Sequence, residues 1–111
     1  MTNSRQKGKR GELELAHLLQ EYGIPARRGQ QYAGANGDAD VVGLQGYHIE
    51  CKRVEKLNLY KAMKQSETDA KPSETPIVCH RTDRQEWLVT LRLPDFLRLC
   101  GYSVNKQQDR D

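Results

Sequence analysis

Asp40, Glu50 and Lys52 are the residues whose types and spacing point to chemistry. Glu50 and Lys52 sit two apart in an apolar run, Tyr47-His48-Ile49-Glu50-Cys51-Lys52, that reads as a β-strand. Side chains two apart on a strand share a face and are about 7 Å apart along the chain. Glu50 and Lys52 therefore point one way, Ile49 and Cys51 the other. If Asp40 joins the polar face, two carboxylates about 4 Å apart repel by roughly 4 kcal/mol at an effective dielectric of 20. That is a large share of a small domain's stability, so a cation belongs between them. Mg²⁺ or Mn²⁺ fits, because such ions are held by one or two carboxylates, waters and a substrate phosphate oxygen. A lysine beside the ion would orient or deprotonate an attacking water, or stabilise charge on phosphorus. Such a site would hydrolyse phosphodiesters.

The two acids meet only if the hairpin around Gln45-Gly46 has the right register. Residues directly opposite each other in an antiparallel pair lie on one face, and a slip of one residue reverses it. A two-residue turn would pair Leu44 with Tyr47 and put Asp40 opposite Cys51, on the wrong face. A three-residue loop over 44–46 or 45–47 corrects this, as does a bulge before Asp40; Gly43 and Gly46 are the glycines either remedy can use.

Around this hairpin the pattern calls for further elements. Glu12, Leu15, Ala16, Leu19 and Tyr22 form one helical stripe from Gly11 onward, with Gly23 as the left-handed cap. Glu12 lies on the stripe that should face the core, where an unpaired carboxylate is costly. It is either a first-turn acid favoured by the helix dipole or part of the metal site. Residues 24–28 read as a short strand, and 29–37, Gly-Gln-Gln-Tyr-Ala-Gly-Ala-Asn-Gly, as a mobile loop. Asn58 can cap a helix running to about Ala70, Ile77 to Cys79 form a buried strand, and 86–91 its partner, with Trp87, Val89 and Leu91 on one side. Residues 93–99 form a last helix with Pro94 in its first turn. This order predicts an α/β fold with a central mixed β-sheet flanked by helices.

Asp40 followed by Glu50-Cys51-Lys52 resembles the signature of the PD-(D/E)xK nuclease superfamily, with Ala39 where proline is frequent. Lys7-Gly8, Glu12, the stretch Leu13 to Leu19, Tyr22-Gly23 and Arg27-Arg28 extend the likeness to archaeal-type Holliday junction resolvases and their phage relatives, over roughly residues 7–87. The resemblance implies a restriction-endonuclease-like core, Mg²⁺-dependent hydrolysis of branched DNA, and a homodimer, since a four-way junction needs two symmetric cuts. It implies that Glu12, Asp40 and Glu50 serve the metal, with the Ile49 or Cys51 backbone carbonyl as a further oxygen, and that Lys52 activates the nucleophile. Arg5, Lys7, Lys9, Arg10, Arg27, Arg28, Gln31 and Arg53 would meet DNA, mostly at phosphates. Gln65, on the helix after Glu-x-Lys, is either another contact or a solvated glutamine. Relatives often carry a functional serine in the 29–37 loop; this chain has none.

Composition agrees with a small nucleic-acid enzyme. The chain of 111 residues suits one domain with a modest core, with 1–6 and 105–111 expected to be flexible. A charge of +3 suits a phosphate-rich partner. No apolar run is long enough for a membrane, and the N-terminus does not read as a signal peptide, so the expected place is the cytoplasm of a bacterium, an archaeon or a phage-infected cell. Cys51, Cys79, Cys100 and the three histidines lack zinc spacing and read as small buried thiols and ordinary polar residues. The alternatives are another nuclease on the same core, of nicking, repair or restriction type, or a silent nucleic-acid-binding module. A pure binder gains nothing from clustered acids that repel phosphate.

Overall fold

The computed structural model describes residues 4–30 and 39–104, with side chains from Gln6 onward. In chain order it contains α1 (Ser4–Glu21), β1 (Arg27–Arg28), β2 (Val41–Val42), β3 (Tyr47–Arg53), α2 (Leu59–Asp69), β4 (Thr75–Arg81), β5 (Leu88–Thr90) and α3 (Leu93–Leu99). The five strands form one sheet in the order β1-β2-β3-β4-β5. Only β3 and β4 pair in parallel, Glu50 beside Val78 and Lys52 beside His80. Parallel neighbours need a crossover, and α2 supplies it; the other pairs are antiparallel.

Period-two alternation in β3 and β4 divides the core between the faces. Ile49, Cys51, Ile77 and Cys79 pack with Leu15 and Ala16 of α1 and with Val41. Val78 packs with Ala62 and Met63 of α2 on the other side. Asn58 caps α2 as expected, its side-chain oxygen accepting the Lys61 N–H at 3.1 Å. The fully buried Ser66 then ties the helix down, its hydroxyl 3.1 Å from the carbonyls of both His48 and Ile77. A bidentate pair between Arg92 and Glu67, at 2.8 and 2.9 Å, anchors the start of α3 to α2.

Several expectations are corrected. α1 begins at Ser4, seven residues before Gly11 and inside the stretch expected to be flexible, so Lys7, Lys9 and Arg10 ride on a helix. Tyr22, placed on the inward stripe, is 78% exposed because α1 ends at Glu21. β1 is two residues long and β5 three, shorter than the runs 24–28 and 86–91, while β4 runs from Thr75 to Arg81, beyond the stretch Ile77 to Cys79. Trp87 and Leu91 pack on the core, but Val89 between them is 58% exposed, since β5 is an edge strand. All three cysteines are free, and Cys100, expected to be buried, is exposed, unlike Cys51 and Cys79. Among the described residues no helix is long and apolar enough to cross a membrane.

Candidate metal centre

The hairpin solves the register problem as its glycines suggest. Val41 faces Ile49, the register in which Asp40 belongs with Glu50 rather than Cys51. The turn closes through the Tyr47 N–H, which donates to the Leu44 carbonyl at 3.2 Å. Gly46 at φ +89° and Gly43 at φ +112° occupy backbone conformations that favour glycine. At Gly43 any side chain would also collide with the segment that leads into β1: a Cβ would lie 2.2 Å from the Pro25 carbonyl oxygen.

Asp40 stands one residue before β2. Its N–H donates to the Ile49 carbonyl at 3.0 Å. Its Oδ2 accepts the Cys51 N–H at 2.8 Å, so that a side chain continues the ladder where the backbone leaves it. The Asp40 and Glu50 carboxyl groups are neighbours, close enough for the Asp40 charge to hinder ionisation of Glu50. Lys52 Nζ lies 3.5 Å from Glu50 Oε2, with the Glu50 side chain 5% exposed and that of Lys52 32%. Glu12 approaches from α1, its Oε1 accepting Arg28 Nε–H at 2.7 Å.

All three carboxyl groups are harder to ionise than usual. Burial is the main cause for Glu50, pushed up to about 7, and the Asp40 charge adds to it while Lys52 opposes. Burial also raises Asp40, against the Cys51 N–H and Lys52. Glu12 is raised by burial, which outweighs its hydrogen bond from Arg28, and the Asp40 charge pushes the same way. Buried acids with one lysine and one arginine among them lack positive charge, and this all-oxygen donor set suits a hard divalent cation. The Cys51 thiol is pushed well up by burial and then by the charge of Asp40, and burial raises Cys79 to about 12. Both stay protonated and inert.

The residues expected at DNA are dispersed. Lys9, Arg10 and Arg27 are exposed, and Lys7 is half-buried. Lys7 and Arg10 line an open groove of about 1160 Å³ with Glu14, Arg53, Arg81 and Trp87, to which none of the four proposed catalytic residues contributes. Arg53 is held by Asp83 at 2.9 Å and Glu14 at 3.4 Å, and Arg28 by Glu12, so both act first as counter-ions within the fold. Gln65 is exposed on α2. The side chain of Arg5, and Gln31 altogether, lie outside the described residues.

Sequence reasoning missed two neighbours of Glu50. His48, read as an ordinary polar residue, is buried; it stands two positions before Glu50 on one strand, a spacing that already placed both on one face. Asp69, at the end of α2, carries no such signal, because the crossover alone brings it to β3.

No protein-family model matches the chain, and no curated protein matches it significantly by sequence. Among solved structures it is similar to Archaeoglobus fulgidus Hjc, a Holliday junction resolvase from an archaeal hyperthermophile, with a TM-score of 0.57 and 24% identity over 77% of this chain and 72% of that one. The likeness is one of architecture: the chain has the mixed-sheet α/β fold of that resolvase, the restriction-endonuclease-like fold.

Proposed function

We propose that residues 1–111 form a single metal-dependent endodeoxyribonuclease domain that hydrolyses phosphodiesters in branched DNA, and that its substrate is the four-way junction. The observation that carries this reading is the register that brings Asp40 to Glu50, with Lys52 3.5 Å away. The same architecture in an archaeal junction resolvase supports the choice of substrate. A silent binding module leaves unexplained why two acids are buried against each other at a cost in stability.

Asp40 and Glu50 would hold Mg²⁺ or Mn²⁺, with the Cys51 carbonyl as a further oxygen, because the Ile49 carbonyl already accepts the Asp40 N–H. Bound there, such an ion supplies Lewis-acid stabilisation of the phosphate and lowers the pKa of water. Lys52, kept near Glu50 and one-third exposed, orients the attacking water and offsets charge on the phosphate. Glu12, fixed by Arg28, holds an ordered water or a second ion. Arg5, Lys7, Lys9, Arg10 and Arg27 follow the DNA backbone, with Gln31 and Gln65 as further contacts, while Arg53 stays with Asp83 and Glu14.

Two symmetric cuts need two copies, and the β5–α3 edge is the surface for the second. Leu88, Val89, Leu93, Phe96, Leu99 and Tyr102 are exposed there. Each is left about half or more uncovered, and a second copy seated there would bury apolar surface of the kind a standard interface of ~800 Å² per partner contains. Acting on DNA, the protein works in the cytoplasm of a prokaryotic or phage-infected cell.

The test is cleavage of a four-way junction, a nicked duplex, a flap and a linear duplex with Mg²⁺. The junction should be cut in preference. Asp40→Asn, Glu50→Gln and Lys52→Ala should each abolish cutting, and the first two should bind DNA as well or better, having lost a negative charge. Undiminished turnover in any of the three rules out the site.

A further inference from the structure

We propose a second cation site on the α2 side of this centre, formed by His48, Glu50 and Asp69 and suited to a borderline ion such as Zn²⁺. It deepens the nuclease reading only through Glu50, which the two sites share. A His48 ring nitrogen and one carboxylate oxygen each from Glu50 and Asp69 lie within 4.8 Å of one another. Ligands at about 2.0–2.2 Å from an ion close to somewhat less than that span. Asp69, exposed at the last turn of α2, is free to make the adjustment.

The histidine is what separates this site from a patch of acids. Its side chain is 94% buried, by its 6% exposure, and Nδ1 is 3.4 Å from Glu74 Oε1. That glutamate is itself held in place, its Oε1 accepting the Lys71 N–H at 2.9 Å. A carboxylate on one ring nitrogen is the support that orients a ligating histidine and leaves the other nitrogen for the ion. Ser66, one turn before Asp69, bonds the His48 carbonyl and locks the end of α2 over β3. One imidazole and two carboxylates suit Zn²⁺ better than Mg²⁺, which demands oxygen ligands in octahedral array.

The experiment uses the tag-free, metal-stripped full chain, with Zn²⁺ titrated calorimetrically and Co²⁺ followed by visible absorption. Wild type should bind one Zn²⁺ that survives Asp40→Asn. Asp69→Asn, a surface change that leaves the fold intact, should weaken Zn²⁺ at least about tenfold, and Glu74→Gln by roughly 10–100-fold, the usual effect of losing such a support. His48→Asn should remove the imidazole signature from the Co²⁺ spectrum. Zn²⁺ affinity unchanged in both Asp69→Asn and His48→Asn, or no binding by wild type, overturns the proposal. A chain that binds Zn²⁺ this way yet cuts no DNA keeps the site and loses the nuclease reading. One that cuts with Mg²⁺ and ignores Zn²⁺ does the reverse.

Discussion

Glu50→Gln should stabilise the metal-free protein, and only above mildly acid pH. Burial and the neighbouring Asp40 raise Glu50 from an ordinary 4.5 to about 7 in the folded chain. One unit is about 1.36 kcal/mol, so the shift amounts to about 3 kcal/mol, undiscounted because the side chain is only 5% exposed. The folded state holds this proton more tightly than the unfolded state. Its contribution is therefore complete below pH 4.5, falls as pH rises toward about 7, and is gone above that. Glutamine carries no charge at any pH and escapes the penalty. Urea denaturation of both proteins in EDTA from pH 4 to 8.5 should give curves that diverge in favour of the variant by up to about 3 kcal/mol, less what the lost Lys52 pair costs. Mg²⁺ at pH 8 should then stabilise wild type, by binding only its folded state, and leave Glu50→Gln unmoved. A difference between the two proteins that stays flat with pH would refute the buried-pair reasoning.

Three further outcomes are expected. With Arg28 tied to Glu12, about five basic side chains remain for phosphates at roughly −0.9 each, so log K against log salt should fall with a slope between about −4 and −5; a flat dependence would sink the nucleic-acid reading. Gly43→Ala should lower the urea midpoint by the equivalent of ~2 kcal/mol or more, from its positive φ and the Cβ pressed against Pro25, and an unchanged midpoint would deny that close approach. Sedimentation should give twice the 12.7 kDa chain mass for wild type and the single mass for the Val89→Asp/Phe96→Asp double variant; a wild-type monomer, or a variant still dimeric, would remove the β5–α3 interface.

What the sequence determined by itself was local. The alternation Ile49-Glu50-Cys51-Lys52 set which side chains share a face, because a strand has period two whatever surrounds it. Asn58, Pro94 and the stripe from Leu15 to Leu19 marked helices through interactions within a few residues. The requirement that Asp40 escape the face of Cys51 followed from hairpin arithmetic, and Val41 opposite Ile49 meets it. Contacts between distant segments were decided only by the tertiary structure. Asp40 is held where it is because its N–H and carboxylate answer β3 groups a strand away. Arg28 and Arg53 look like free cations in the chain, but the sheet brings each to a glutamate on α1. Asp69 reaches Glu50 because parallel strands force the chain back across the sheet through α2, and neither residue's neighbours in sequence carry a trace of that return.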